Sequence, residues 1–194
     1  MKCVLASGNA KKAKELTELL AVKHWQVSLQ SDYGVIQPAE DGLTFVENAL
    51  IKARAASEQT GLPAIADDSG LVVNALQGKP GIYSARFAGD NASDTENNTQ
   101  LLAMMSHLSD EDRQAYFVSV IVFLRHARDP LPIIAQGVWH GHILREPLGE
   151  GGFGYDPVFW LPTHSCTSAQ LSPEVKQKLS HRGLAMTNLL AQLS

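Results

Sequence analysis

The opening of the chain already limits what it can fold into. Cys3-Val4-Leu5-Ala6 is a short apolar run that stops at Ser7-Gly8-Asn9, and a helical repeat then follows, with Leu16, Leu19 and Leu20 on one side. A strand, a polar loop and a helix in that order begin an α/β chain. Asn9 stands where an N-cap is needed. The alternation continues. Residues 25–29 read as a second strand. Residues 41–61 hold the clearest helix: Thr44 and Glu47 have capping-box spacing, Val46, Leu50 and Ala53 are expected to face the core, and Asn48 and Lys52 share another face. Gly61 and Pro63 stop it. Ala64-Ile65-Ala66 reads as a buried strand leading into Asp67-Asp68-Ser69-Gly70, with strand character resuming at Leu71-Val72-Val73. A glycine- and proline-rich loop over 78–89 precedes a helix over 94–107 capped by Asp94. Residues 115–125 and 133–144 are long β-rich runs, expected to pair antiparallel. After a glycine-rich loop at 149–154, Ser172-Pro173-Glu174 opens a C-terminal helix that Gly183 is expected to interrupt. Those long central strands argue for a mixed sheet over an all-parallel one.

Composition narrows the class. With 194 residues, 44% hydrophobic and 19% charged, the chain can bury a core without staples, and one domain over 1–194 is expected. The net charge is -4 and the densest basic cluster is Lys11-Lys12 with Lys14. That excludes a general nucleic-acid binder, whose affinity comes from phosphate contacts made by a basic face. A small polyanion bound together with a metal is compatible with mild acidity. No segment has the length of a membrane span, and the apolar part of residues 1–8 is too short for a signal peptide. Cys3 and Cys166 are far apart and outside any C-x-x-C pattern, so reduced thiols and a cytoplasmic location are expected.

Four segments carry chemistry. The loop Ser7-Gly8-Asn9-Ala10-Lys11-Lys12 joins a strand to a helix, where backbone N–H groups and a lysine can meet an anion. It also suits an ordinary strand–helix turn. Asp67-Asp68-Ser69 follows an apolar run; paired carboxylates suit a hard cation, with Glu40 as a further ligand, but Asp-Asp-Ser-Gly is equally good turn chemistry. In Gly151-Gly152-Phe153-Gly154-Tyr155-Asp156-Pro157, glycines flank two aromatics and an acid. An aromatic ring can stack on a base, and Asp156 can accept from a purine N–H. In an extended segment Phe153 and Tyr155 would point the same way. Finally, Lys176 precedes Ser180-His181-Arg182-Gly183 by a helical turn, and His181 and Arg182 can donate to a carbonyl oxygen; by themselves such residues are commonly solvated surface. Weaker candidates are His140 with His142, which lack a third ligand, and Arg86 in a polar loop.

Together these segments resemble the inosine/xanthosine triphosphate pyrophosphatase family over nearly the whole chain. The resemblance is carried by Ser7-Gly8-Asn9 with Lys12, by Gly42-Leu43-Thr44-Phe45-Val46-Glu47-Asn48-Ala49 with Lys52, by Ala66-Asp67-Asp68-Ser69-Gly70-Leu71, by Pro80-Gly81-Ile82-Tyr83-Ser84-Ala85-Arg86, and by the segments around Phe153 and His181. It implies an elongated, two-lobed α/β fold with a central mixed β-sheet flanked by helices (ITPase-like), a cleft between the lobes, and a homodimer. It implies Mg²⁺-dependent hydrolysis of a small-molecule nucleoside triphosphate such as ITP, dITP or XTP to the monophosphate and pyrophosphate. Carried over residue by residue, Glu40 and Asp68 hold the metal, and Asp68 and Lys52 are catalytic. Ser7, Gly8, Asn9, Ala10, Lys11, Lys12, Ser69, Phe153, Gly154, Tyr155, Asp156, Lys176, His181 and Arg182 bind substrate. Tyr155 stands where some relatives carry tryptophan. The competing expectations are a related pyrophosphatase for other modified nucleotides and a non-catalytic nucleotide-binding module. A dinucleotide-dependent oxidoreductase is disfavoured by the missing glycine fingerprint.

Overall fold

The computed structural model describes residues 1–21 and 25–193. Seven strands form a sheet in the order β2-β1-β3-β4-β5-β6-β7. The chain divides into two compact units, one of Met1–Asp68, Ser119–Gly137 and His181–Ser194, the other of Ser69–Val118 and Val138–Ser180. The strands β3 (Ala64–Val73), β4 (Gln114–Leu124) and β5 (Ile133–Ile143) contribute to both.

In the first unit, β1 (Lys2–Ala6) lies between β2 (Gln26–Leu29) and β3, parallel to each, with Val4 opposite Ser28 on one side and Ala64 on the other. Parallel neighbours need crossovers, and the helices α1 (Ala10–Leu20) and α2 (Phe45–Thr60) lie in the two connections. A strand covered on both faces shows no polar alternation, which is why Cys3-Val4-Leu5-Ala6 is apolar throughout and buried to 1% exposure or less. Cys3, Leu5 and Ile65 pack with Ala13, Leu16 and Leu20 of α1 and with Ala185, Met186 and Leu189 of α5 (His181–Gln192). Alternate residues of the strands point to the opposite face. Asn9 caps α1 through its side chain, and Thr44 and Gly61 bound α2 as expected. The buried face of α2 differs in part from expectation. Ala53 is buried as expected, together with Asn48, Ala49, Ala56 and Ser57, while Val46 and Leu50 are only half-buried. Small side chains let a helix lie close to a strand, so the alanines win the inner face.

The second unit is built on aromatic packing. Phe117, Trp139 and Phe159 meet with ring centroids 4.6 and 5.4 Å from Phe159, among Leu71, Val73, Leu101 and Tyr155. Ile143 N–H donates to Arg113 O at 2.9 Å, so the end of β5 meets the start of β4 as in an antiparallel pair, and β6 (Phe159–Leu161) and β7 (Cys166–Thr167) continue antiparallel. The helix α3 spans Asp94–Met104, shorter than expected, and its cap is Ser93, one residue before the predicted Asp94. Asp94 is otherwise engaged, its carboxylate accepting from Gly154 N–H at 2.8 Å. Buried Arg113 donates to the carbonyls of Met105, Ile143 and Leu144.

Two further expectations change. Residues 64–73 are one unbroken strand, so Asp67-Asp68-Ser69-Gly70 is not a turn. The C-terminal helix breaks at Ser180 and not at Gly183: α4 (Pro173–Leu179) ends there and α5 begins at once. Ser180 N–H still reaches Lys176 O at 2.9 Å, but no continuous helix joins Lys176 to His181.

Within the first unit α5 approaches β5 closely. Asn188 and Gln192 donate side-chain N–H groups to Gln136 O and Ile134 O at 2.8 and 3.2 Å. A Cβ on Gly137 would stand 2.0 Å from His181 O and 2.5 Å from Ala185 N, both backbone atoms. Gly137→Ala should therefore lower stability by about 1–3 kcal/mol, read as a lower urea midpoint at unchanged m.

Candidate active site

The alternation of β3 sends two adjacent carboxylates to opposite faces. Asp67 continues the face of Ile65, toward α1 and α5; Asp68 continues the face of Ala66, toward α2. Asp67 is 2% exposed. Its Oδ2 lies 3.7 Å from Lys12 Nζ and 3.6 Å from Arg182 Nε, and neither of its oxygens accepts a hydrogen bond among the described residues. Burial pushes its proton affinity up, but Lys12, Arg182 and Lys52 together outweigh burial and hold the carboxyl down at about 2. Burial in turn lowers Lys12 below an ordinary lysine, against the attraction of Asp67.

On the other face, Lys52 Nζ donates to Asp68 Oδ1 at 2.9 Å and to Glu40 Oε2 at 3.2 Å. Thr44 and Asn48 shape the approach to this group: Thr44 caps α2, and Asn48 Oδ1 accepts from Gly42 N–H at 2.9 Å, which ties down the loop carrying Glu40. Asp68 is raised above the usual carboxylate range, because burial exceeds the stabilisation from Lys52. Burial lowers Lys52, but Asp68, Asp67 and Glu40 more than compensate and raise it. Asp68 Oδ2 is buried with no hydrogen-bond partner. No group of three or more His, Cys, Asp or Glu is close enough to hold a metal among the described residues, so the carboxylate set here is a pair, Asp68 and Glu40, bridged by one ammonium.

The start of α5 completes the first unit's group. His181 and Arg182 are 8% and 3% exposed, so they are not the solvated surface that their sequence alone suggests. A cation in the first turn opposes the helix dipole; here Glu15 of α1 pairs with Arg182 and Asp67 stands behind it. In the loop between β1 and α1, Asn9 Oδ1 accepts from Lys11 N–H and Lys12 N–H at 3.0 and 3.2 Å, and Ser7 Oγ lies 3.4 Å from Asn9 N. Those N–H groups already have acceptors; of the two lysines, Lys11 is exposed and Lys12 is the one turned toward Asp67.

The remaining predicted residues, Ser69, Phe153, Gly154, Tyr155, Asp156 and Lys176, belong to the second unit. Residues 152–155 form a turn, and Gly152 and Gly154 have φ of +78° and +63°, so Phe153 and Tyr155 do not share a direction as an extended segment would require. Tyr155 is 3% exposed, and its hydroxyl donates to Ser84 O at 2.8 Å. Phe153 is half-buried, with Lys176 Nζ 5.2 Å from its ring centroid. Asp156 is committed inward. Its Oδ1 accepts from Ser168 Oγ at 2.6 Å, and its Oδ2 accepts from Phe153 N–H at 2.8 Å and from Lys176. These contacts make Asp156 a clamp between the Phe153 turn and the Lys176 ammonium. The His140 ring lies tilted against Tyr116 with centroids 5.5 Å apart, and Arg86 lies 5.1 Å from the Tyr83 ring centroid.

The sequence profile of the Ham1 family matches residues 3–192. The chain belongs to the Ham1 family. A dITP/XTP pyrophosphatase of Idiomarina loihiensis is 55% identical, covering 98% of this chain and 96% of its own length, and one of Vibrio parahaemolyticus is 54% identical over 100% and 96%. Among solved structures, a HAM1 protein from Coxiella burnetii superposes with a TM-score of 0.94 at 47% identity, covering 100% of this chain and 98% of its own. The Staphylococcus aureus Ham1 protein gives 0.90 at 40%, with the same coverage. Three residues of this Ham1 chain that sequence reasoning passed over now stand out: Asp67, Glu15 and Ser168. Asp67 was visible only as half of a pair. Glu15 and Ser168 act through partners 167 and 12 residues away, a relation no local pattern carries.

Ser168 has no exposure and gives its hydroxyl to a buried carboxylate. Ser168→Ala should destabilise by about 1–3 kcal/mol, because Asp156 Oδ1 loses its donor; chemical denaturation reads this directly.

Proposed function

We propose that this chain hydrolyses deaminated purine nucleoside triphosphates, dITP, XTP and ITP, to the monophosphate and pyrophosphate. The observation that carries the proposal is Asp68, a buried carboxylate with one oxygen on Lys52 and the other lacking any partner. It stands in a chain whose full-length relatives bear the name dITP/XTP pyrophosphatase. Phosphoryl transfer asks mainly for positioning and charge stabilisation, and both are supplied by this group.

Two carboxylates with an orphaned oxygen suit Mg²⁺, which takes one or two protein carboxylates and fills its shell with phosphate and water oxygens. Asp68 and Glu40 would hold it, and when bound it would neutralise phosphate charge. Asp68 also takes the proton of the attacking water. As the water oxygen bonds to the α-phosphorus, the bond from that phosphorus to the bridging oxygen breaks, and pyrophosphate leaves with the electron pair. Lys52 keeps Asp68 ionised and oriented. Lys12, anchored by Asp67, meets the phosphates as a point charge. His181 and Arg182 donate to the C6 oxygen of hypoxanthine or xanthine; adenine offers a donor there and is refused. In the second unit the Phe153 ring stacks on a base, with Lys176 held beside it by Asp156. The same reading carries a homodimer and a cytoplasmic location; both cysteines are free thiols, as that compartment favours.

Pyrophosphate release from dITP, XTP, ITP, GTP and ATP, with and without Mg²⁺, tests the reading. Release should need the metal and favour the deaminated purines; equal rates on ATP would remove the donor argument, and tight binding without release would make the chain a binding module. Asp68→Asn should lower kcat by about 10²–10⁴ with the fold intact by circular dichroism. Phe153→Ala should act mainly on KM, because stacking stabilises ground and transition states alike.

A further inference from the structure

We propose that Asp67 is a positioning residue that holds Lys12 and Arg182 in one fixed relation, so that a single carboxylate sets both the phosphate-facing and the base-facing cation. The inference rests on the roles given above to those two residues. Both cations approach the same oxygen, Oδ2, at 3.7 and 3.6 Å, from different helices. Lys12 comes from the first turn of α1, and Arg182 from the first turn of α5. Asp67 is 2% exposed and accepts no hydrogen bond from any described residue.

For stability alone this is a poor arrangement. Apolar side chains in place of all three residues would avoid the desolvation of a carboxylate and two cations. The distances also exceed direct hydrogen-bond length, so Asp67 acts on each cation through charge and not through a hydrogen bond, while Glu15 holds Arg182 directly. Asp67 aims the Lys12 ammonium from one side and, with Glu15, the Arg182 guanidinium from the other. Because they share one oxygen, drawing one cation toward a ligand alters the attraction left for the other. Recognition of phosphate and recognition of base are thereby linked within one unit of the fold.

Asp67→Asn removes the charge at nearly constant shape, and calorimetry needs no turnover to read the result. In the wild type, inorganic triphosphate should bind, and IMP should bind more tightly than AMP. In folded Asp67→Asn, the Kd for triphosphate should rise at least tenfold and the preference for IMP over AMP should fall at least tenfold, the two losses appearing together. A variant with a lowered Tm but both quantities within twofold of wild type would show a purely structural role and overturn the proposal. Loss of one quantity without the other would overturn it as well. Should Asp67→Asn not fold, Asp67→Glu decides. It keeps the charge and displaces it by one methylene, so both losses should recur in milder form; wild-type values for both would overturn the proposal. A wild type that binds triphosphate and prefers IMP yet releases no pyrophosphate would remove the hydrolytic reading and leave this one standing.

Discussion

The rest of the first unit is arranged around one constraint, two adjacent ionised carboxylates in a strand buried on both faces. A buried carboxylate is tolerated only when paired. Strand geometry forbids Asp67 and Asp68 from sharing a counter-ion directly, because neighbours point to opposite faces. Each face must therefore bring its own cations. Lys12 and Arg182 come from α1 and α5 to one face, and Lys52 comes from α2 to the other. The helices that cover the sheet thus do two jobs, sealing an apolar core and delivering charge to one point on β3.

Delivery depends on the packing. Ala13, Leu16 and Leu20 seat α1, and Lys12, one residue before Ala13, is carried to the strand end near Asp67. Ala49, Ala53 and Ala56 let α2 lie close enough for the Lys52 side chain to reach Asp68 and Glu40 together. Gly137 plays the same part for α5, admitting His181 O and Ala185 N to the face of β5, which brings Arg182 into the interior. Larger residues at these places would hold the helices further out and lengthen the ion pairs.

Much of this was legible in the sequence, for identifiable reasons. The strand–loop–helix opening, the Thr44 cap, the Gly61 stop and the long central strands rest on local rules, and local rules predicted them. The motif residues were legible as candidates because their types are chemically unusual where they stand. The misreadings share one cause, a long-range partner that outbids a local preference. Asp-Asp-Ser-Gly favours a turn, but it continues a strand that lies between β1 and β4 in the sheet, and cations from three helices meet its two carboxylates. Asp94 is a good N-cap, but Gly154 N–H engages its carboxylate and Ser93 takes the cap. Tyr155 reads as a stacking ring, but the aromatic core and the Ser84 carbonyl hold it inward. His181 and Arg182 read as surface, because nothing nearby in sequence announces Glu15 or Asp67.

The two aspartates also show how one strand gives identical side chains different chemistry. Burial raises the proton affinity of both. What separates them is the number of cations within reach. Asp67 faces Lys12 and Arg182 and is held down at about 2, so it is an anion at neutral pH with little affinity for a proton. Asp68 has one direct cation, Lys52, which it shares with Glu40, and Glu40 adds a repelling charge. Its affinity for a proton stays above that of an ordinary aspartate, and one of its oxygens has no donor to satisfy it. Of the two, only Asp68 has its affinity for a proton raised, which is the property that the proposed role as base needs. Neighbouring carboxylates thus differ through their counter-ions, the lowered one on the face of β3 toward α1 and α5 and the raised one on the face toward α2.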